Sequence, residues 1–177
     1  MSELFRKLET CGKPWVSAIN GTCMGGAFEL SLACHGRVAA DSDKVKMALP
    51  EVKVGIFPGA GATQRMPRNT SICLAKQYIF TGDFFDANTA LNMGLINMVV
   101  PADEVMDQAK KMARKLSRKG PLALRAAKQS VNNSMNMDIK SGCRFEQTSW
   151  SMLFSSEDQK EGMKAFLEKR KPNFVGK

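Results

Sequence analysis

Apolar positions recur at helical spacing at Leu4, Phe5, Leu8 and Cys11, and Gly12-Lys13-Pro14 closes that run. Trp15–Ile19 is a continuous apolar stretch of strand length. It breaks at a glycine-rich turn and opens an amphipathic helix over Ala27–Cys34. Arg37–Ala40 and Lys46–Leu49 read as short strands separated by the polar turn Asp41–Lys44. Gly55–Gly61 reads as a loop, and Ala62–Met66 as a single helical turn before Pro67. Beyond Asn69, residues Ile72, Ala75, Ile79 and Phe80 share one helical face that stops at Gly82. Asp86 caps a short helix ending at Gly94, and Leu95–Val100 is the last strand.

The remainder is helical by pattern. Val105, Met106, Ala109, Met112, Ala113 and Leu116 predict a helix over 102–118. Further helices follow over Leu122–Val131, Asp138–Leu153 and Ser156–Arg170, the last with Ser156 as N-cap. No internal repeat and no low-complexity segment is visible. Strands and helices alternate over 1–101 and only helices occupy 102–177, so the fold class is an α/β core with an all-helical C-terminal extension.

Composition adds bounds. The 177 residues suffice for one domain, and 44% hydrophobic with 24% charged residues is ordinary for a globular protein. Twelve methionines point to a core or subunit contact with adaptable packing. No run approaches a membrane span. Cys11, Cys23, Cys34, Cys73 and Cys143 form no CxxC pair, and the lone His35 completes no ligand cluster, so no metal site is expected. An odd cysteine count and an N-terminus without a signal-peptide layout fit a reducing compartment, cytoplasmic or mitochondrial matrix. Of the net charge of +9, most lies in 102–177, with sixteen basic and nine acidic side chains. Such a half attracts RNA, an anionic surface or a phosphate-rich small ligand, and is equally an ordinary solvated helical surface.

Two stretches carry candidate chemistry. Asn20–Glu29 (Asn-Gly-Thr-Cys-Met-Gly-Gly-Ala-Phe-Glu) runs from a strand through glycines into a helix. That arrangement lets backbone approach a ligand and aims unpaired N–H groups at it, an environment for an anion or an oxygen that becomes one. Glu29 lies one turn into the helix among apolar residues. Leu49–Gly61 supplies a second carboxylate, Glu51, between Pro50 and Val52 ahead of a Gly/Pro-rich loop. Carboxylates in apolar company suit general acid/base work. Each feature also has a plain structural reading, as a tight turn or a favourable helix-dipole contact.

Lys13-Pro14, Ala18-Ile19-Asn20-Gly21, Gly25-Gly26-Ala27-Phe28-Glu29-Leu30, Leu49-Pro50-Glu51 and Gly55-Ile56-Phe57-Pro58-Gly59-Ala60-Gly61-Ala62-Thr63-Gln64-Arg65 together resemble the enoyl-CoA hydratase/isomerase (crotonase) family. The likeness continues through Thr81-Gly82, Ala90 to Asn97, and Glu161 to Arg170. It implies a spiral of strand-strand-helix units, with a partial core over 1–101. Residues 102–177 then serve oligomerisation, as a homotrimer or dimer of trimers, and form part of an acyl-CoA pocket. The implied substrate is an acyl-CoA thioester, with no cofactor beyond the CoA it carries. The resemblance assigns Glu29 to holding and activating water, Glu51 to exchanging the α-proton, and the Gly26 N–H to the thioester oxygen. Gly25 and Gly59 approach the same site. Trp150, Phe166 and Lys169 are candidates for the acyl and CoA contacts, though Trp150 and Phe166 read equally well as helix packing. His35 reads as structural. Retaining both carboxylates favours hydration over double-bond migration.

The likeness begins partway through the family pattern, with roughly the first third absent. That third carries the second oxyanion N–H and much of the adenine pocket in the family, so the chain by itself is expected to be a weak hydratase or none. Two other readings stand beside enoyl-CoA hydration: an inactive crotonase-like subunit, and an RNA-binding relative resting on charge alone. Asn69 and Thr70 depart from the family's apolar residues and are expected to loosen the following helix start.

Overall fold

Parallel strands alternating between two small sheets organise the first part of the chain. The computed structural model describes residues 1–177, which divide into one unit over Met1–Ala113 and another over Arg114–Lys177. In the first, α1 (Ser2–Thr10) precedes β1 (Val16–Ile19), β2 (Cys23–Met24) and α2 (Gly26–Ala33). Next come β3 (Gly36–Asp41), β4 (Met47–Ala48), a 3-10 turn (Pro50–Val54) and α3 (Ala62–Asn69). The series ends with α4 (Ile72–Thr81), α5 (Ala87–Asn92), β5 (Met98–Pro101) and α6 (Val105–Ser117), which runs across the boundary between the units.

The topology is a strand-strand-helix repeat. β1, β3 and β5 form one parallel sheet in that order, with Ile19 opposite Ala39 and Ala39 opposite Val99. β2 and β4 form the other, with Cys23 opposite Met47. Two repeats, β1-β2 and β3-β4, each add one strand to each sheet before turning helical, and β5 adds a third strand to the first sheet alone. The repeat is the strand-strand-helix unit that the resemblance implies, and β4 falls inside the strand expected over Lys46–Leu49, while β2, with two residues, is too short to show alternation. β2 itself, read from sequence as part of the glycine turn, exists because Cys23 N–H reaches Lys46 O at 2.9 Å and Gly25 N–H reaches Ala48 O at 3.0 Å.

The core lies between these sheets and their helices. Phe28, Val38, Met47, Leu49, Met66 and Leu95 are completely buried, each side chain of this size contributing about 1.5–3 kcal/mol by leaving water. Phe85 packs edge-on against Phe28 at 5.6 Å and Tyr78 at 4.8 Å between ring centres. The amphipathic reading of α2 needs correction. Phe28, Glu29, Ser31, Leu32 and Ala33 are all buried, so this helix is enclosed on nearly every side. A central position leaves little of it for solvent, and a polar residue buried there needs partners.

Arg37 anchors the C-terminal end of that helix. Its guanidinium donates to the carbonyls of Ser31, Leu32 and Cys34, to Leu95 O and to Asn69 Oδ1, and its own N–H donates to Asn97 Oδ1 at 2.8 Å. Burial pulls its pKa downward, with the Cys34 sulfur acting in the opposite direction. Asn69 also donates to Arg65 O at 2.8 Å, so it ties α3 to β3 rather than loosening the start of α4. α4 begins on a sound cap, with Ser71 Oγ accepting from Leu74 N–H. α3 continues through Pro67 to Asn69, beyond the single turn anticipated. The side chains of Arg68 and Asn69 satisfy the Gln64 and Arg65 carbonyls near its end.

The second unit contains α7 (Pro121–Asn133), α8 (Ile139–Leu153) and α9 (Glu157–Leu167). Asp138 and Ser156 cap α8 and α9 through their side chains. The final residues fold back on α9: Lys177 O accepts from the N–H groups of Glu157 and Asp158, and the buried Asp158 carboxylate accepts from those of Val175 and Gly176. Farther along, Arg170 grips Glu161 through two bonds at 2.6 and 2.8 Å, and Asn173 N–H adds a third, holding the Glu161 carboxyl down to about 2. No helix is long and apolar enough to cross a membrane.

Replacing Arg37 would orphan several buried carbonyls at once. Arg37→Met is expected to cost on the order of 3–5 kcal/mol of unfolding free energy in urea titrations, the scale of a lost buried charged network. A loss below about 1 kcal/mol, the scale of one ordinary hydrogen bond, would show that the carbonyls are satisfied without it.

Candidate active site

The glycine turn before α2 brings two carboxylates to one place. Gly25 is the N-cap of α2 with φ of 53° and ψ of −129°, a conformation that disfavours any side chain. A Cβ there would come within 3.0 Å of Glu51 Oε1. The absence of that carbon is what allows the Glu51 carboxylate to lie against the turn. Gly25 also holds the start of the other acid, because its carbonyl accepts from Glu29 N–H at 2.9 Å.

Glu29 is buried, and its Oε1 accepts from Ala60 N–H at 2.8 Å and Ala62 N–H at 3.0 Å. The loop after the 3-10 turn therefore reaches back across the fold to fix this carboxylate. Gly59 lies one residue before that contact, and the N–H groups that meet Glu29 belong to Ala60 and Ala62.

Glu51 has a different environment. It sits on the 3-10 turn, half-buried, and its Oε2 is buried without any hydrogen-bond partner. A buried acceptor left unsatisfied costs about 1–3 kcal/mol, so it persists where something else uses it. At the first position of α2, the Gly26 N–H donates to no group in the protein, and the space where its Cβ would lie is open. That N–H also stands at the positive end of the helix dipole. An anchored acid, an acid with a buried, unpartnered oxygen and a free donor thus flank one turn. Nearby, burial pushes the Cys23 thiol up to about 11, so it is a neutral thiol at physiological pH. No cluster of His, Cys, Asp or Glu able to hold a metal is present.

The other sequence candidates lie in the second unit. Trp150 packs edge-on against Phe154 at 4.6 Å and lines a cavity of about 390 Å³ with Phe154, Met163 and Phe174. Phe166 and Lys169 are exposed, and Lys169 adopts a left-handed φ of 55°. His35 joins elements in the first unit: its Nδ1 accepts from Trp15 N–H at 2.9 Å, and Nε2 faces Glu9 O at 3.4 Å.

Sequence reasoning overlooked Glu9 and Arg65. Arg65 is buried, donates to Ala60 O at 3.0 Å, and pairs with Glu9 at 3.2 Å. The one available signal was an arginine spaced to share a helical face with Ala62 and Met66, the other buried residues of α3. Its partner lies 56 positions away and has no local signature.

A sequence model described as enoyl-CoA hydratase/isomerase matches residues 1–177. The crotonyl-CoA hydratase of Syntrophomonas wolfei is 42% identical over 175 residues, covering 99% of this chain and 66% of that protein. The short-chain-enoyl-CoA hydratase of Clostridium acetobutylicum is 42% identical over 170 residues, covering 96% and 64%. Among solved structures, an enoyl-CoA hydratase from Bacillus anthracis superposes with a TM-score of 0.95 at 37% identity, covering 99% of this chain and 67% of that one. The chain spans about two thirds of the length of the curated relatives it matches. Its strand-strand-helix repeat, its paired carboxylates on a glycine turn and these matches agree, and the chain belongs to the enoyl-CoA hydratase/isomerase family.

Proposed function

We propose that this chain carries the hydration machinery for a 2-enoyl-CoA thioester. The observation that bears most weight is the buried, unpartnered Oε2 of Glu51, whose other oxygen lies against Gly25, together with the Gly26 N–H at the start of the same turn's helix, which has no acceptor. Names such as crotonyl-CoA hydratase and short-chain-enoyl-CoA hydratase among its relatives support the same chemistry.

In this reading a water bonded to Glu29 adds its oxygen to C3, and Glu51 delivers a proton to C2. The sum is one H2O across the double bond, and the two carboxyl groups return to their starting states by proton exchange. Negative charge accumulates on the thioester oxygen meanwhile, and the Gly26 N–H stabilises it. One such donor is worth about 3–4 kcal/mol in the transition state. The two carboxylates differ in a way that fits their roles. Glu29 is fixed by two N–H groups and can orient a water, whereas Glu51 keeps one buried oxygen committed to no protein donor.

Glu29→Gln and Glu51→Gln are each expected to lower kcat for crotonyl-CoA hydration by on the order of 10²–10⁴, with CoA binding nearly unchanged. Hydration at the parent rate by either variant would remove that residue from the mechanism.

The second unit fits self-association, which we propose to be trimeric. Trp150, Met152, Phe154, Phe166 and Leu167 are apolar and exposed there, more than a scatter of surface residues requires. Light scattering on the purified chain is expected to report a mass above the 19.5 kDa monomer, and a strictly monomeric mass at high concentration would refute the proposal. A reducing compartment, cytoplasm or mitochondrial matrix, is proposed with it. Relatives named as mitochondrial occur beside bacterial ones.

A further inference from the structure

Residue Ala60 is held on every side. Its N–H donates to Glu29 Oε1 at 2.8 Å, and its carbonyl accepts from Arg65 Nη1 at 3.0 Å. Its methyl group packs in a small apolar cluster with Phe5 of α1 and Ala33 of α2. Arg65 is itself clamped, with Nε and Nη2 directed at the two carboxylate oxygens of Glu9 at 3.4 and 3.2 Å. Arg6 braces the same carboxylate at 2.8 Å. Burial raises the Glu9 pKa, yet the Arg6 and Arg65 bonds outweigh it and leave the carboxyl below its usual range.

Gly61 shows how closely this arrangement is built. A Cβ at that position would collide with Arg65 Nη1, and its φ of 116° disfavours a side chain in any case. The guanidinium therefore lies directly against the turn that presents both N–H groups to Glu29. A loop built from Gly59-Ala60-Gly61 has little stiffness of its own, so the N–H pair needs an external fixture. Besides Glu29 itself, Arg65 grips the loop backbone, through the Ala60 carbonyl.

We propose that Arg65, held by Glu9, is a positioning residue for Glu29: it fixes the 59–62 loop, whose two N–H groups set the orientation of the carboxylate. The chain of contacts runs Glu9, Arg65, Ala60, Glu29, and it makes α1 part of the support for the site. Its catalytic consequence rests on the hydration reading above, while its structural content does not. Arg65 touches no substrate atom and acts through the loop.

Two readouts on the full chain separate these layers. The first is residue-resolved amide hydrogen exchange at Ala60 and Ala62, with the β3 amides of Val38–Ala40 as an internal reference for global stability. Arg65→Met is expected to accelerate exchange at Ala60 and Ala62 at least tenfold with the β3 amides unchanged. Glu9→Gln should do so to a smaller degree, and Arg65→Lys should partly restore protection. The second is crotonyl-CoA kinetics, where Arg65→Met should lower kcat by about 10–100-fold, the usual effect of losing an outer support, with little change in KM.

Unchanged exchange at Ala60 and Ala62 in Arg65→Met would overturn the proposal. Acceleration of the β3 amides to the same extent would also overturn it, by showing a merely structural role. Should Arg65→Met not fold, Glu9→Gln and Arg65→Lys decide by the same comparison, since both retain a folded-state partner for the buried loop. Selective loop exchange in a chain whose parent does not hydrate crotonyl-CoA would uphold the positioning and refute the hydration reading instead.

Discussion

Two backbone N–H groups on one carboxylate oxygen hold the site together. The bonds from Ala60 and Ala62 to Glu29 span thirty-one and thirty-three positions of sequence. They join the helix that follows β2 to the loop that follows β4, which are equivalent places in successive strand-strand-helix repeats. Without them a carboxylate enclosed in the first unit would face a desolvation cost with nothing to offset it. With them, burial becomes an asset, because an acid whose rotamer is locked needs no reorganisation when water or substrate arrives.

The same turn treats its second acid in the opposite manner. Glu51 is admitted beside Gly25 because no Cβ occupies the space, and one of its oxygens is left with no partner. The fold therefore carries one satisfied and one unsatisfied carboxylate around a single glycine, with a free N–H next to them. The conformational entropy lost in ordering a glycine at Gly25 and a missing hydrogen bond are costs that packing elsewhere in the first unit offsets. The large aromatic and aliphatic groups around Phe28, Phe85 and Leu49 supply that packing.

Much of this was legible in the chain because its signals are local. Glycines at 25 and 26, the acids at 29 and 51, the caps at Asp86 and Ser156, and the glycine stops at 82 and 94 all act within a few residues, and the structure contains each of them. Of the two-residue strands, β4 was legible within Lys46–Leu49, whereas β2 was hidden in the glycine turn, since pairing with a distant strand creates it rather than any pattern of its own. Arg37 and Arg65 were missed for a related reason. An arginine reads as a surface residue until the fold surrounds it with carbonyls or a carboxylate from far along the chain. Asn69 looked like a defect against the family pattern, and only the tertiary contact with Arg37 shows its use.

The central claim is that Glu51 Oε2 and the Gly26 N–H await the reacting part of an acyl-CoA. The most direct measurement is a crystal structure of the chain with 3-hydroxybutyryl-CoA, the product expected of hydration. The account predicts the thioester oxygen within hydrogen-bonding distance of Gly26 N–H, about 3 Å. It also places C2 and the 3-hydroxyl between the Glu51 and Glu29 carboxylates, with Glu29 still bonded to Ala60 and Ala62. A thioester seated away from the Gly25–Gly26 turn, with Glu51 Oε2 still facing nothing, would contradict it.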